Sequence, residues 1–326
     1  MAERWHVVIP DRVAPPADVE QAVFGDRATV AALEAHTNAE LRGRHEAADA
    51  ILAWHDLHWD AEVLASMPRC KALVRVGVGF DNVDLAAARR QGIVVSNVPD
   101  YGTHDVADHA MALLLSLARG LAGSDRVARG GAWRWGLVPS FRLTEKWLGV
   151  VGLGRIGTAT ALRAKAFGMR VGFYDPYKPS GWDKALGVTR FLSLDELAAT
   201  CDVVSVHTPL TPETRGMIGG AFFAAARPGV VVINTSRGPV IDWPAFRAAF
   251  EAGRIGAAGL DVLPVEPADR TDPLIAAWMA GELADRLIVT PHCAFYSLEA
   301  LAEMRRKAAE EALRILSGAG PLNRVS

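Results

Sequence analysis

Three polar residues in the last third of the chain have side chains that together could move a proton. Arg237 lies in VVVINTSRGPVID, Glu266 in GLDVLPVEP and His292 in LIVTPHCAFYS. A histidine can give or take a proton near neutral pH, and a carboxylate on its other ring nitrogen would fix its tautomer. An arginine can polarise a carbonyl and bind a carboxylate. Each residue follows an apolar run typical of a strand, so parallel strands would bring the three together at their carboxyl ends.

A glycine-rich segment, VVGLGRIGTATALRAKAFGMRVGFYDP, predicts a strand, a tight turn, a helix and a second strand. Gly152, Gly154 and Gly157 have the spacing of a dinucleotide-binding turn, and Asp175 follows at the distance expected of a ribose-binding acid. The helix N-terminus would face the pyrophosphate. Asp175 would bind the 2′ and 3′ hydroxyls of the ribose and repel a 2′-phosphate, which favours NAD over NADP. A glycine turn without a ligand and an S-adenosylmethionine site are the alternatives.

A nicotinamide cofactor would give the three polar residues a reaction. A hydride that moves between C4 of the nicotinamide and a carbinol carbon needs a partner that gives or takes the hydroxyl proton, and His292 suits that role. We therefore expect an oxidoreductase that uses NADH in the reductive direction.

Composition limits the class of protein. The chain has 326 residues, half of them hydrophobic, and a net charge of −2 with dispersed Lys and Arg, so nucleic-acid binding is not expected. No apolar run approaches eighteen residues, which argues against a membrane span, and the N-terminus predicts a first strand and not a signal peptide. Cys70, Cys201 and Cys293 are far apart, which favours a reducing compartment. We expect a cytoplasmic location.

Apolar, strand-like runs alternate with helical ones, four before Tyr101 and six after Lys146, which predicts an α/β fold with parallel sheets. We expect two Rossmann-like, doubly wound domains with a cleft between them. A long helix would begin near Thr103, and a helix from Ser297 to Leu316 would return to the first domain. The predicted domains are a discontinuous, flavodoxin-like substrate-binding domain of residues 1–102 plus 294–326, and an NAD-binding domain of residues 103–293.

The motifs GLGRIG, HTPLTPETRGMI, NTSRGPVID, GLDVLPVEP and TPHCAFYS, in that order, resemble those of the D-isomer-specific 2-hydroxyacid dehydrogenases, and the resemblance extends from about Ala72 to Met304. It implies a small 2-keto or 2-hydroxy acid as substrate, with Arg237 as substrate binder, Glu266 as partner of the histidine and His292 as acid and base. It also implies backbone contacts to the substrate carboxylate from Val78 and Gly79. The residues implied for the cofactor, besides the three glycines and Asp175, are Arg155 and Ile156 at the pyrophosphate and Thr208, Thr235, Ser236 and Asp261 along the nicotinamide half.

Two local features resemble the C-terminal-binding proteins, relatives of these dehydrogenases that also act in transcription. Arg75 precedes VGVGFDNVD, where that group has an arginine that contacts the substrate carboxylate, and Phe295 stands where that group has a tryptophan. The alternative function is therefore a dimeric protein that senses NAD(H). A homodimer is implied in either case, with residues 103–120 as the expected interface, and no added regulatory domain is expected.

The segment WHDLHWD, residues 54–60, has histidines and aspartates at ligand-like spacing. No third cluster completes a site, and the family that the chain resembles uses no metal for catalysis, so no metal is predicted. We expect a loop in which Trp54 and Trp59 are half packed. His104 and His109 fall on the long helix and are given no chemical role.

Overall fold

The computed structural model describes residues 4–325, which divide into two units, each built on a parallel sheet. One unit runs from Thr103 to Phe295, and the other combines the residues up to Gly102 with those from Tyr296 onward. The prediction of two parallel-sheet α/β domains is confirmed. Apolar strands that alternate with helices give this result because a parallel strand pair needs a crossover connection, which is usually a helix.

The first unit has a five-stranded sheet in the order β2-β1-β3-β4-β5, with every pair parallel. This is the flavodoxin-like strand order, whose switch point lies between β1 and β3. Its strands are β1 (Trp5–Ile9), β2 (Ala28–Ala32), β3 (Ala50–Ala53), β4 (Ala72–Arg75) and β5 (Val94–Asn97). Its helices are α1 (Asp18–Phe24), α2 (Asn38–Leu41), α3 (Ala61–Ala65), α4 (Leu85–Arg90) and the last helix of the chain, α13 (Leu298–Leu316), besides a 3₁₀ turn at Gly25–Arg27.

The second unit has a seven-stranded parallel sheet in the order β12-β11-β10-β9-β6-β7-β8, in which the direction of winding reverses between β6 and β9. This is the Rossmann order with one further strand. Its strands are β6 (Trp147–Val151), β7 (Arg170–Tyr174), β8 (Thr189–Arg190), β9 (Val203–Val206), β10 (Val230–Asn234), β11 (Ile255–Leu260) and β12 (Leu287–Val289). Its helices are α5 (Thr103–Arg119), α6 (Leu121–Arg129), α7 (Arg155–Ala166), α8 (Trp182–Leu186), α9 (Leu194–Thr200), α10 (Gly220–Ala225), α11 (Trp243–Glu251) and α12 (Pro273–Met279), besides a 3₁₀ turn at Gly238–Val240.

Three local expectations were wrong. The sequence pattern missed β2, an alanine-rich edge strand, and β8, which has only two residues. The long helix is two helices, because Gly120 adopts a left-handed conformation with φ +58° between α5 and α6. Trp54 and Trp59 are buried and not half packed.

No helix in residues 4–325 has both the length and the apolar character that a bilayer crossing requires.

Helix α13 packs on β3, β4 and α1. Met304, Ala308, Ala312 and Leu316 lie at helical spacing and form its buried stripe, whereas Leu298 in the first turn is exposed. The helix begins at a capping residue, Ser297, whose hydroxyl accepts a hydrogen bond from the Ala300 amide.

A buried carboxylate on α13 joins the C-terminal segment to the sheet. Glu311 Oε1 accepts hydrogen bonds from the Ser96 hydroxyl at 2.5 Å and from the amides of Leu322 and Asn323 at 2.8 and 2.9 Å. Its exposed neighbour Glu310 instead forms an ion pair with Arg306 one turn earlier. The two adjacent glutamates therefore have very different surroundings.

We expect Glu311→Ala to lower the free energy of unfolding by about 1–3 kcal/mol, because the Ser96 hydroxyl and the amides of Leu322 and Asn323 would lose a buried acceptor. Glu310→Ala is the matched control and should change it by less than about 0.5 kcal/mol, since exposed ion pairs contribute little. Urea denaturation followed by circular dichroism measures both. Equal effects of the two variants would contradict this role for Glu311.

Candidate active site

The turn between β6 and α7 needs glycine at two positions for reasons internal to the chain. Gly152 has φ +90°, and a Cβ there would lie 2.9 Å from the His207 carbonyl oxygen. A Cβ at Gly157 would lie 2.1 Å from the Gly152 carbonyl oxygen, far inside van der Waals contact. These glycines let the helix start directly against the turn that precedes it.

Gly154 differs from the other two glycines of the turn. It is exposed, it is the N-cap of α7, and no other part of the chain lies within 4 Å of the Cβ position. Nothing in the protein itself requires glycine there, whereas a pyrophosphate that approaches the backbone would require it. Arg155 and Ile156 follow as the first residues of the helix, where free amides and the helix dipole favour an anion.

Asp175 directly follows β7 and contacts the glycine turn. Its two carboxylate oxygens accept hydrogen bonds from the amides of Leu153 at 2.9 Å and Tyr177 at 3.0 Å. An ionised carboxylate has about four acceptor sites, so each oxygen can still accept a ribose hydroxyl. The geometry fits the role that the sequence assigns to this acid.

The residues expected along the nicotinamide half follow three neighbouring strands: Thr208 follows β9, Thr235 and Ser236 follow β10, and Asp261 follows β11. The Thr235 hydroxyl is one of the few buried side-chain polar atoms without a hydrogen-bond partner in residues 4–325, so a ligand could complete its bonding. The methyl group of Thr208 would lie 2.9 Å from a Cβ at Gly152, which places Thr208 beside the turn. Ser236 donates its hydroxyl to Asn234 at 2.8 Å. The open Gly154 cradle and the unpartnered Thr235 hydroxyl together fit a dinucleotide.

His292 and Glu266 form a hydrogen-bonded pair. The distance from His292 Nδ1 to Glu266 Oε2 is 2.7 Å. An ionised carboxylate can only accept, so the proton lies on Nδ1 and the exchangeable position is Nε2. Both side chains are partly exposed, at 28% and 38% respectively, so a substrate atom could reach the ring.

Opposing effects set the pKa of Glu266. Burial alone would raise its pKa, but the hydrogen bond and charge of His292, the Leu263 amide and the charge of Arg237 together hold the pKa below its usual value. Glu266 is therefore a carboxylate at neutral pH and can stabilise a protonated imidazole.

Arg237 lies near this pair because two backbone segments approach each other very closely. It lies between β10 and the 3₁₀ turn, and its Nη1 donates to the Ser236 carbonyl oxygen at 2.9 Å. A Cβ at the next residue, Gly238, would lie 1.9 Å from the Leu263 carbonyl oxygen. Only glycine permits that approach, which brings the arginine turn against the segment that ends in Glu266.

Asp261 follows β11 and contacts both the end of β10 and the loop that carries His292. Its buried carboxylate accepts hydrogen bonds from the Thr290 hydroxyl at 2.6 Å and from the amides of Cys293 and Ala294 at 2.9 Å each. His109, Asp261 and Cys293 could each offer one donor atom to a metal ion. Because these hydrogen bonds already occupy Asp261, we interpret the group as a hydrogen-bond network.

Each unit carries some of the residues expected at the substrate. In the first unit, Arg75 is buried and its Nη1 donates to the Val76 carbonyl oxygen at 2.6 Å, while Val78 is exposed and Gly79 partly so. In the second unit, the ring of Phe295 meets the His292 ring edge-on, with 6.4 Å between the centroids. Arg75, Val78 and Gly79 thus belong to the first unit, and Phe295 belongs to the second.

Sequence reasoning missed two residues that shape the site. The buried Asn234 accepts from the Ser236 amide and donates to the Arg237 carbonyl oxygen, so it sets the turn that carries the arginine. An amide side chain at the end of a buried strand was the available signal. His109, given no role, lies 3.0 Å from the Thr290 hydroxyl. His207 follows β9, where burial lowers its pKa to about 4 and its ring bonds the Ser205 hydroxyl.

Comparisons with known proteins agree with this geometry. Residues 111–294 match the model of the D-isomer specific 2-hydroxyacid dehydrogenase, NAD binding domain. The chain is 39% identical over 312 residues to a D-3-phosphoglycerate dehydrogenase of Mycobacterium bovis, a match that covers 96% of the chain and 57% of that relative. The chain thus spans little more than half the length of the mycobacterial relatives that it matches.

Two further proteins match over most of both lengths. A glyoxylate reductase of Korarchaeum cryptofilum is 38% identical over 271 residues, which is 82% of this chain and 79% of that protein. The crystal structure of a D-lactate dehydrogenase from Aquifex aeolicus, complexed with NAD and lactic acid, is 30% identical with a TM-score of 0.82 and covers 96% of each chain. The match to an NAD-binding domain, the similarity to an NAD-complexed dehydrogenase and the glycine turn all support NAD as the cofactor.

Two glycines of the turn, Gly154 and Gly157, should respond differently to substitution. Gly154→Val should leave the unfolding midpoint almost unchanged but weaken NADH binding at least tenfold, since the side chain would occupy the space of the pyrophosphate. Gly157→Ala should instead lower stability by about 1–3 kcal/mol, because its Cβ has no room. Fluorescence titration with NADH and urea denaturation of the ligand-free protein separate the two effects. Wild-type NADH affinity in Gly154→Val would contradict this role for Gly154.

Proposed function

Because the chain belongs to the D-isomer-specific 2-hydroxyacid dehydrogenase family, we propose that it interconverts a small 2-keto acid and its D-2-hydroxy acid with NAD. The observation that carries the proposal is the 2.7 Å hydrogen bond between His292 and Glu266, with Arg237 close enough to lower the Glu266 pKa. The alternative of an S-adenosylmethionine site would imply a methyltransferase, in which these three groups together would have no role. Membership of the dehydrogenase family excludes that alternative.

His292 would exchange the proton on the substrate oxygen. In the reductive direction its Nε2 gives a proton to the carbonyl oxygen, and in the oxidative direction it takes the hydroxyl proton back. Glu266, ionised at neutral pH, holds Nδ1 and offsets the positive charge on the ring before the proton leaves.

Arg237 would bind the acid group of the substrate and polarise the adjacent carbonyl. A guanidinium has five donors in a planar fork, so one side chain can contact both groups. The hydrogen bond to the Ser236 carbonyl fixes the direction of that fork. We further propose that Arg75, Val78, Gly79 and Phe295 contact the substrate, with the two backbone amides on its carboxylate.

NADH, when bound, supplies the hydride that reduces the keto carbon and leaves as NAD⁺. We propose that Gly152, Gly154 and Gly157, with Arg155 and Ile156, hold the pyrophosphate and that Asp175 holds the ribose. Thr208, Thr235 and Ser236 would line the nicotinamide half. Asp261 was also expected along that half, but its hydrogen bonds support a role at the histidine.

The names of the similar proteins support a substrate class. They include dehydrogenases and reductases of phosphoglycerate, glyoxylate and lactate, which differ in the group attached to the reacting carbon. We propose a small 2-keto acid without specifying that group. We also propose a cytoplasmic location, which the three free cysteines support.

We propose that the protein is a homodimer and that the surface around Trp133 and Trp135 takes part in the interface. Both indoles are 93% exposed, and Leu121 and Leu137 nearby in sequence are also exposed. Burial of one indole removes about 150–250 Å² from water, so two such rings favour association. This surface lies beyond residues 103–120, where the sequence resemblance placed the interface.

Purified protein should reduce at least one of glyoxylate, hydroxypyruvate, pyruvate and longer 2-keto acids, and it should do so with NADH in preference to NADPH. His292→Gln should lower kcat by about 10²–10⁴-fold, since it removes the proton donor. NADH oxidation at 340 nm measures both, and oxidation of D- against L-hydroxy acids tests the stereochemistry.

Two results would count against the proposal. No turnover of any keto acid in the panel would refute the reaction. Nucleotide-dependent dimerisation together with turnover that survives His292→Gln would favour the alternative, a sensor of NAD(H), over the enzyme.

The paired substitution Trp133→Glu and Trp135→Glu should convert a dimer to a monomer, because two charges would be placed in the interface. Leu192→Glu is the control: Leu192 is 83% exposed in the same unit and lies outside the proposed surface. Sedimentation velocity measures the mass of each form. A monomeric wild type, or a double variant that remains dimeric, would refute this interface.

A further inference from the structure

The loop of residues 290–294 carries the proposed catalytic histidine in an unusual conformation. His292 has φ +51°, in the left-handed region that residues other than glycine seldom adopt. Such a conformation persists only where the neighbouring structure holds it. The position of the imidazole therefore depends on what restrains this loop.

Asp261 restrains three successive amides of the loop. Its carbonyl oxygen accepts from the His292 amide at 2.8 Å. Its carboxylate accepts from the Cys293 amide through one oxygen and from the Ala294 amide through the other, both at 2.9 Å. The orientation of this one carboxylate therefore sets the course of the chain on the C-terminal side of the histidine.

The Thr290 hydroxyl completes the restraint and sets the direction of its hydrogen bond with a second histidine, His109. Thr290 Oγ1 lies 2.6 Å from Asp261 Oδ1 and 3.0 Å from His109 Nε2. The carboxylate can only accept, so the single hydroxyl proton goes to Asp261. The contact with His109 must then be a bond in which Nε2–H donates to Oγ1. His109 Nε2 is also 3.7 Å from Asp261 Oδ1, so the ring lies beside the carboxylate as well.

We propose that His109 is a positioning residue for the reaction: by donating to Thr290 it aims the threonine hydroxyl at Asp261 and so holds the 290–294 loop and its histidine in place. His109 lies near the middle of α5, with Val106, Ala110 and Leu113 buried around it, and a rigid helix is a suitable support for such a bond. The inference rests on the proposed function, since it gives His292 its catalytic role.

Two substitutions of His109 separate the hydrogen bond from the bulk of the ring. His109→Leu fills space but has no donor, and it should lower kcat about 10–100-fold while the Kd for NADH changes less than about threefold, because a small displacement of a reacting group is costly. His109→Gln places an amide N–H near the position of Nε2 and should restore kcat to within about threefold of wild type. If His109 had only a structural role, both variants would have lower thermal stability, and kcat would not differ between His109→Leu and His109→Gln.

Thr290→Val tests the same connection from its other end. It should lower kcat as much as His109→Leu does. The double variant that combines His109→Leu and Thr290→Val should have a kcat no lower than that of either single variant, because both substitutions interrupt the same chain of hydrogen bonds. His104→Leu is the matched control, since His104 is on the same helix, exposed, and contacts Arg163. It should leave kcat unchanged.

Hydrogen exchange measured by mass spectrometry gives a readout that does not need turnover. The amides of His292, Cys293 and Ala294 should exchange faster in His109→Leu than in wild type, and His109→Gln should restore their protection. Unchanged exchange, unchanged kcat in His109→Leu, or additive losses in the double variant would each overturn the proposal. If the wild type turns over no keto acid, the proposed function fails, and the exchange of these amides still decides whether His109 holds the loop.

Discussion

The parallel pairing of β10, β11 and β12 is the constraint on which the proposed chemistry depends. The three strands are neighbours in the sheet and run in the same direction, so the segments that follow them emerge at one edge. Arg237, Glu266 and His292 are widely separated in sequence, and each follows one of these strands. Backbone pairing therefore brings an arginine, a carboxylate and an imidazole to the same edge of the sheet.

Much of this site could be predicted because its residues follow buried strands. A polar residue in the loop that follows a buried parallel strand lies near the edge of the sheet where the strands end. The glycine spacing of 152–157 has a steric meaning that follows from the lack of a side chain. The same reasoning failed for β2 and β8, since an alanine-rich edge and a two-residue strand have almost no hydrophobic pattern. It also underestimated the burial of Trp54 and Trp59, because burial there comes from tertiary packing and not from local alternation.

The supporting residues were harder to predict than the reacting ones. His109 lies on a helix where its spacing suggests only an amphipathic face, and its partner Thr290 is far away in sequence. The left-handed backbone of His292 has no signature in the residue type, because histidine adopts that region only when its neighbours require it. Asn234 was easier to predict, since an amide side chain at the end of a strand often bonds the following turn.

The first unit takes its strands from one end of the chain and the helix that covers β3 and β4 from the other, whereas the second unit is a continuous run. On the ribosome, the apolar face of β3 and β4 therefore emerges long before α13 is synthesised. The second unit has no such delay, because all of its strands and helices precede α13. The unit that is begun first is thus the last to be completed, and its exposed sheet is the part of the nascent chain that most needs protection from aggregation.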